Sequence, residues 1–226
     1  MMKKTLACIH TSMVFVKVEP MLQEILDEVL PDVRRINIVD DSLLADVMRT
    51  GWITSQVTRR MCAYVQAAEA AGADAILSLC SSLGPTIDVA RQVASVPVIK
   101  IDDAMTEEAV RSSERIGVIA TVATTLAPTV DLIQSKGQAA GKAVEISPRL
   151  VEGAFRTLMD GDRQQHDEMV MAGARELARQ VDLIVCAQAS MTRLAPRLMD
   201  ETGLRVLTSP RLAIEHTRRT LEQIDA

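Results

Sequence analysis

Two segments of this chain follow the same plan, and they constrain its fold more than any other feature. In Asp74–Val93, a short apolar run ends at Cys80, and two serines, a Gly-Pro turn and an amphipathic helix follow. In Val181–Glu201, another apolar run ends at Cys186, again before small polar residues and a helix. A polar residue between a buried strand and a helix is typical of the carboxyl edge of a parallel sheet. The sequence therefore predicts two thiols at such edges.

Strands and helices alternate along the whole chain, which predicts parallel sheets with right-handed crossovers. The apolar residues are 48% of the sequence and only 2% of residues are aromatic, as in an α/β protein whose sheets are covered on both faces. We expect an α/β fold of two similar parallel-sheet lobes. The first should comprise residues 1–101 and 208–226, and the second residues 102–207. Residues 40–50 are expected to form a polar connection, and residues 150–159 a helix.

The two halves also repeat a second feature. Polar strand-end residues at His10, Thr11 and Ser12 precede Cys80, and a similar strand end at Thr121 precedes Cys186. Each half thus supplies one hydroxyl-bearing loop and one thiol in the same order. Two lobes facing each other would bring these four loops to a common cleft.

Composition and cysteine usage exclude several classes of function. The net charge of -5 and the absence of a basic stripe argue against a nucleic-acid partner. No apolar run has the length of a membrane span and no signal-peptide pattern is present, so we expect a cytoplasmic protein without a membrane partner. The four cysteines form no CxxC pair and have no histidine at ligand spacing, which predicts no metal site. Cys8 and Cys62 are expected to be buried apolar side chains.

The two strand-end thiols suggest acid–base chemistry. The positive end of a helix lowers the pKa of a nearby thiol, and two thiols on opposite walls of a cleft could work on opposite faces of one carbon. A racemase without a cofactor needs this arrangement, together with donors that stabilise an enediolate. Hydroxyl groups could hold a substrate carboxylate or simply cap helices, and His10 could bind a carboxylate, relay a proton or cap a helix. The candidate hydroxyl residues are Ser81, Ser82, Thr121, Thr124 and Thr125.

Four motifs occur in the order found in a known family: Leu79–Ser82 (LCSS), Val96–Ala104 (VPVIKIDDA), Arg115–Thr125 (RIGVIATVATT) and Leu183–Ser190 (LIVCAQAS). With them, the chain resembles the aspartate/glutamate/hydantoin racemase superfamily over essentially its whole length. The resemblance implies two α/β lobes related by a pseudo-twofold axis, with the active site in the cleft between them. It also implies that the two strand-end cysteines act as acid and base, without pyridoxal phosphate or a metal.

The chain departs from the amino-acid racemases of that family at three places. Ser81-Ser82 stands where Asn-Thr is usual, and Ala187-Gln188 stands where threonine and an acidic residue or histidine usually follow the second cysteine. The first loop reads His10-Thr11-Ser12 instead of glycine or Asp-Ser. These changes remove groups that would engage an amino group, which argues against a dedicated glutamate or aspartate racemase. The predicted substrate-binding residues are His10, Thr11, Ser12, Ser81, Ser82, Thr121, Thr124, Thr125, Ala187 and Gln188.

The leading hypothesis is a cofactor-independent racemase or epimerase that moves a proton at a carbon next to a carboxylate or carbonyl. A maleate-type cis–trans isomerase with a cysteine nucleophile is the first alternative, and a non-catalytic protein that binds a small acid is the second. An arylmalonate-type decarboxylase is less favoured because it needs one protonating cysteine and this chain keeps two. We expect a small carboxylic acid or amino-acid-derived substrate and a homodimer or higher homo-oligomer. Candidate carboxylate clamps are Lys17, Arg49 and Arg193, and His166 is expected to be solvated.

Overall fold

The computed structural model describes residues 3–13, 16 and 20–224 of the 226-residue chain. It divides into two compact units, one comprising the residues up to Ile101 together with those from Pro210, and the other comprising Asp102–Ser209. Each unit contains a four-stranded, all-parallel sheet with helices packed against it. The predicted α/β fold class is therefore confirmed.

In the first unit the sheet has the strand order β2-β1-β3-β4. Its elements are β1 (Thr5–His10), α1 (Met21–Val29), β2 (Arg34–Val39), α2 (Ser42–Thr50), α3 (Ser55–Ala70), β3 (Ala75–Ser78), α4 (Gly84–Arg91), β4 (Val98–Lys100) and the C-terminal helix α10 (Ser209–Gln223). Helix α10 joins α1 through a two-pronged ion pair, in which the Arg211 guanidinium donates to the Glu28 carboxylate at 2.9 and 2.6 Å.

The second unit repeats this topology with the strand order β6-β5-β7-β8. Its elements are α5 (Asp103–Ser112), β5 (Arg115–Ala120), α6 (Ala123–Ala139), β6 (Glu145–Leu150), α7 (Ala154–Met159), α8 (Arg163–Leu177), β7 (Leu183–Cys186), α9 (Ala195–Thr202) and β8 (Arg205–Leu207). The same strand order in both units gives structural form to the internal repeat in the sequence.

In both sheets, the direction in which successive strands are added reverses at the same place. The chain leaves β1 toward β2 on one side and returns to build β3 on the other, and β5 stands in the same relation to β6 and β7. At such a switch point the loops after the two central strands diverge, which opens a crevice outside the carboxyl ends of the strands. Ligands of open parallel sheets bind in this crevice.

Burial differs among the strands. The central strands β1 and β3 are buried at every residue, as is the short edge strand β4, whereas the edge strands β2 and β6 are partly exposed along their length. This explains why the central strands read as continuous apolar runs and β2 and β6 do not. It also explains why β6 tolerates Pro148, because an edge strand can spare a backbone N–H group.

Two expectations about secondary structure are wrong. Residues 42–50, expected in a polar connection, form helix α2, which buries Leu43 and Val47 one helical turn apart and ends at Gly51 in a left-handed conformation. The helix expected over residues 150–159 begins only at Ala154, because Leu150 is the last residue of strand β6. Among the described residues, no helix combines the length and the apolar character that crossing a membrane requires.

Gly117 in β5 lies where no side chain fits, so we expect Gly117→Ala to destabilise the fold. An added Cβ would lie 2.8 Å from Leu177 Cδ2 and 3.0 Å from Val181 Cγ2, so the buried side chain of Leu177 must shift. The free energy of unfolding should fall by about 1–3 kcal/mol, measured by urea denaturation. Gly84→Ala is the matched control, because its Cβ would make an ordinary 3.5 Å contact with Lys100. Equal stability of the two variants would contradict the packing described.

Candidate active site

In the first unit, the thiol and the first polar loop lie on adjacent strand ends. Cys80 follows β3 and His10 ends β1, and the Leu79 N–H donates to the Ile9 carbonyl at 3.0 Å. The Cys80 side chain is half-buried. The structure thus places Cys80 and the His10 loop at the switch point of the first sheet.

His10 is buried beside the edge strand. Its Nε2 lies 2.9 Å from the Asn37 side-chain oxygen, so this nitrogen carries a proton and donates. Burial lowers the pKa of His10, and the bond to Asn37 offsets only part of that effect. At neutral pH the ring is therefore uncharged, and it can act toward a ligand as a polar group but not as a cation.

A carboxylate that sequence reasoning missed fixes the next loop. Asp40 follows β2, and its N–H donates to the His10 carbonyl at 3.0 Å. Its carboxylate accepts the Tyr64 hydroxyl at 2.6 Å, the Ser42 hydroxyl at 2.7 Å and the Arg60 guanidinium. Burial alone would raise the pKa of Asp40, but these donors outweigh it and lower the pKa to about 2. Its position directly after a predicted strand was the available signal.

The remaining predicted residues of this unit lie close to the same edge. Thr11 is buried, its carbonyl accepts the Leu44 N–H at 3.2 Å, and Ser12 is half-buried. Ser81 and Ser82 are buried in a short 3-10 helix, Ser81–Leu83, that separates Cys80 from α4. The sequence suggested that the Cys80 thiol lies at the first turn of the α-helix, but the structure places the 3-10 helix between them.

In the second unit, Cys186 and Thr121 also lie on adjacent strand ends. Cys186 is the last residue of β7 and pairs with Ile119 of β5, two residues before Thr121. The Gln188 side-chain oxygen accepts both the Thr121 N–H at 2.5 Å and the Thr121 hydroxyl at 3.1 Å. One side chain therefore ties together the two loops at this switch point.

The other predicted residues of the second unit lie in these two loops. Ala187 is buried and its N–H donates to the Ile119 carbonyl at 3.0 Å, which continues the pairing of β5 and β7 beyond the strand end. Thr124 and Thr125 lie in the first turn of α6, where Thr124 is half-buried and Thr125 is buried.

The Cys186 thiol lies in an apolar environment. It is fully buried in a cluster that includes Ile119, Ile184 and Met191. Burial raises the pKa of this thiol to about 12, because a thiolate there would lose its hydration. The pKa-lowering helix terminus expected from the sequence does not act at Cys186, since a 3-10 helix, Ala189–Leu194, intervenes before α9. In this conformation Cys186 carries its proton.

A second ionic cluster anchors the loop after Cys186. Arg193 donates to both oxygens of Asp167 at 2.5 and 2.6 Å, and His166 Nδ1 lies 2.8 Å from the same carboxylate. His166 is buried, which corrects the expectation that it is solvated. Arg193, a candidate carboxylate clamp, is bound by Asp167 in this structure. Arg49, the second candidate clamp, pairs with Asp46 on the surface, and Lys17 lies outside the described residues.

A scan of protein families matches the Asp/Glu/Hydantoin racemase family over residues 16–217. This match covers most of the chain, including both cysteine-bearing strand ends. The chain belongs to the Asp/Glu/Hydantoin racemase family. Membership in this family places the protein among the isomerases that act as racemases. A search of curated protein sequences finds no match.

Solved structures agree in fold. A glutamate racemase from Bacillus anthracis has a TM-score of 0.76 at 13% identity, with 98% of this chain and 82% of that chain covered. A glutamate racemase from Francisella tularensis in complex with D-glutamate has a TM-score of 0.75 at 15% identity, covering 99% and 82%. An allantoin racemase from Klebsiella pneumoniae has a TM-score of 0.65 at 16% identity, covering 99% and 89%. At these identities the likeness establishes the fold of this racemase-family protein and not its substrate.

The part of the chain that the structure describes contains no cluster of side chains arranged to bind a metal ion. No group of three or more histidine, cysteine, aspartate or glutamate side chains is arranged there to hold a metal ion. The groups that the structure places at the two switch points are thiols, hydroxyls, one amide and a neutral imidazole.

The ionic cluster at Asp40 should show a defined pH dependence. Because the pKa of Asp40 is lowered on folding, its contribution to stability is complete above the unfolded pKa of about 4 and is lost as pH falls toward about 2. The free energy of unfolding of wild type should exceed that of Asp40→Asn by about 1–3 kcal/mol, measured by urea denaturation near neutral pH. The difference should stay constant down to about pH 5 and shrink only below about pH 4. Asp41→Asn controls for the charge change, and a difference that shrinks already between pH 7 and 5 would contradict the assignment.

The four thiols should separate into two classes on alkylation. Iodoacetamide at about pH 8 should label Cys186 at least about 100-fold more slowly than Cys80, because a buried thiol with a raised pKa supplies little thiolate. Cys8, also buried with a pKa raised to about 12, is the internal standard for a slow thiol, and half-buried Cys62 is the standard for an accessible one. Peptide mass spectrometry resolves the four rates. Equal labelling of Cys80 and Cys186 would mean that the Cys186 thiol is not dry in solution.

Proposed function

We propose that this protein is a cofactor-independent racemase or epimerase acting at a carbon next to a carboxylate or carbonyl, with Cys80 and Cys186 as its acid–base pair. The observation that carries the proposal is that each unit holds one of these cysteines at its sheet's switch point, beside a polar loop. Family membership supports the reaction class. The predicted role of the residues around the thiols, as a binding site for a small acid, remains part of this proposal.

The proposed reaction transfers one proton in each step. One cysteine, as a thiolate, removes the proton from the substrate carbon, and the electron pair of the broken C–H bond moves into the adjacent carboxylate or carbonyl to give an enediolate or enolate. The other cysteine, as a thiol, gives its proton to the opposite face of the same carbon. The product has the opposite configuration and the two cysteines have exchanged protonation states. N–H and O–H donors around the substrate oxygens would stabilise the intermediate.

Burial supports Cys186 as the donor in the first half of this cycle. A raised pKa keeps its proton in place until a carbanionic carbon forms. In the reverse direction the same raised pKa makes the Cys186 thiolate a stronger base. We propose that Cys80, the more exposed of the two, removes the proton in the direction in which Cys186 donates.

The unequal exposure of the two thiols favours one second candidate. In a maleate-type cis–trans isomerase, a single accessible thiolate adds to a double bond, rotation follows, and the thiolate leaves again. Cys80 is half-buried and would be that nucleophile, whereas fully buried Cys186 would only donate or accept a proton.

The glutamate racemase from Francisella tularensis, whose structure contains D-glutamate, supports a small amino-acid-derived acid as the substrate for the first candidate.

Proton NMR in deuterium oxide tests these alternatives directly. The protein would be incubated with pooled amino acids, hydantoins, hydroxy acids and unsaturated dicarboxylic acids. The racemase proposal predicts loss of the α-proton signal of one compound, reduced about 100-fold or more in Cys80→Ala and in Cys186→Ala. Cys62→Ala, which removes a half-buried helical thiol away from the strand ends, should retain full exchange.

Other outcomes have defined meanings. Conversion of an unsaturated acid to its geometric isomer, dependent on Cys80, would replace the racemase proposal with the cis–trans isomerase. Inversion of configuration that survives when either Cys80 or Cys186 is replaced would contradict the two-thiol mechanism. Absence of exchange, together with slow alkylation of both thiols, would favour a protein that only binds a small acid.

A further inference from the structure

Gln188 has a hydrogen-bonding arrangement that leaves little freedom in the second unit's site. Its side-chain oxygen accepts two donors from one residue, the N–H and the hydroxyl of Thr121, across a separation of 67 residues in the chain. Gln188 itself is half-buried and immediately precedes the 3-10 helix after Cys186. The bond therefore joins the loop after β5 to the loop after β7.

The orientation of this amide follows from chemistry. A backbone N–H can only donate, so the Gln188 atom that faces Thr121 must be the carbonyl oxygen and not the NH2 group. The Thr121 hydroxyl, which shares this oxygen, must donate to it as well. An amide turned by 180° would place two donors against each other and leave both unsatisfied.

This arrangement changes which group can hold a substrate oxygen. Both donors of Thr121 are committed to Gln188, so Thr121 can offer a ligand only the lone pairs of its hydroxyl oxygen. The oxygen of Gln188 is committed as well, and only its NH2 group can turn toward a ligand. Next to Cys186, the Gln188 NH2 group can thus donate to a ligand, whereas the Thr121 hydroxyl oxygen can only accept.

We infer that Gln188 is a positioning residue for Thr121 and a specificity-determining residue that presents N–H donors to an oxygen acceptor of the ligand. The inference rests on the proposed function and deepens it, because it names a residue that would hold a substrate oxygen. The Gln188 NH2 group recognises a carboxylate or carbonyl oxygen, which can accept from it. An ammonium group is disfavoured beside this NH2 group, because both groups are donors only.

Two variants separate positioning from recognition. Gln188→Glu keeps an oxygen acceptor for both Thr121 donors but replaces the NH2 group with a negative charge. Gln188→Met has similar length and removes both functions. Thr121→Ser retains both donors and is the conservative control. The probes are succinate and aspartate, which differ only by one ammonium group.

Two readouts on the full chain test the inference. Isothermal titration should show that wild type and Thr121→Ser bind succinate more tightly than aspartate, and that Gln188→Glu weakens succinate binding about 10- to 100-fold. Amide hydrogen exchange at Thr121 should be as slow in Gln188→Glu as in wild type and at least about 10-fold faster in Gln188→Met.

Either readout can overturn the inference. Unchanged succinate affinity in Gln188→Glu, or a wild type that binds aspartate but not succinate, would eliminate the specificity role. Unchanged exchange at Thr121 in Gln188→Met would eliminate the positioning role. Neither readout requires turnover, so a protein that behaves as expected here but exchanges no α-proton would refute the proposed reaction while leaving the role of Gln188 intact.

Discussion

The pairing of adjacent parallel strands up to their carboxyl ends is the constraint on which the rest of this structure depends. In the first sheet the ladder between β1 and β3 extends to the bond between Leu79 and Ile9, and in the second the ladder between β5 and β7 extends to Ala187 and Ile119. Each ladder ends where the chain diverges to opposite sides of the sheet. Residues placed just after these ladders are held close together at the carboxyl edge of the sheet, where ligands of open parallel sheets bind.

Ionic clusters behind the loops complement that backbone frame. Asp40 in the first unit and Asp167 in the second each collect several donors, and neither faces the problem of an unpaired buried charge. For Asp167, burial alone would raise the pKa, but hydrogen bonds from Arg193 and His166 outweigh it and lower the pKa. These two clusters hold the loops with charged groups, while His10 and Cys186, which end the central strands β1 and β7, are uncharged in this structure.

The sequence predicts the central part of the fold well because buried parallel strands carry their own signal. β1, β3, β5 and β7 are short apolar runs that end at polar residues, and the thiols and hydroxyl loops could be placed from these runs alone. The sequence predicts the elements at the periphery, such as helix α2 and strand β6, less well. Helix α2 carries apolar residues at helical spacing, Leu43 and Val47, but its polar residues favoured the interpretation as a connection. β6 is a partly exposed strand that contains Pro148, so it lacks the continuous apolar run of a central strand.

Side-chain partners at the site could not be read from the chain. The bond between Gln188 and Thr121 joins residues far apart in sequence, and the pair of Arg193 and Asp167 depends on how α8 packs. The raised pKa of Cys186 could not be predicted for the same reason. Its position after a strand suggested a nearby helix terminus, whereas its pKa is set by the apolar side chains that surround it in three dimensions.

The central claim is that two different groups carry the proton to and from one carbon. The most direct test supplies a single enantiomer of the exchanging substrate in deuterium oxide. The deuterium content of both enantiomers is then measured at initial rates. Two thiols predict that the product enantiomer contains solvent deuterium from the start while the recovered substrate keeps its original hydrogen. Equal deuterium in both enantiomers at the earliest times would show that one group serves both faces, and would contradict the assignment of Cys80 and Cys186 as a pair.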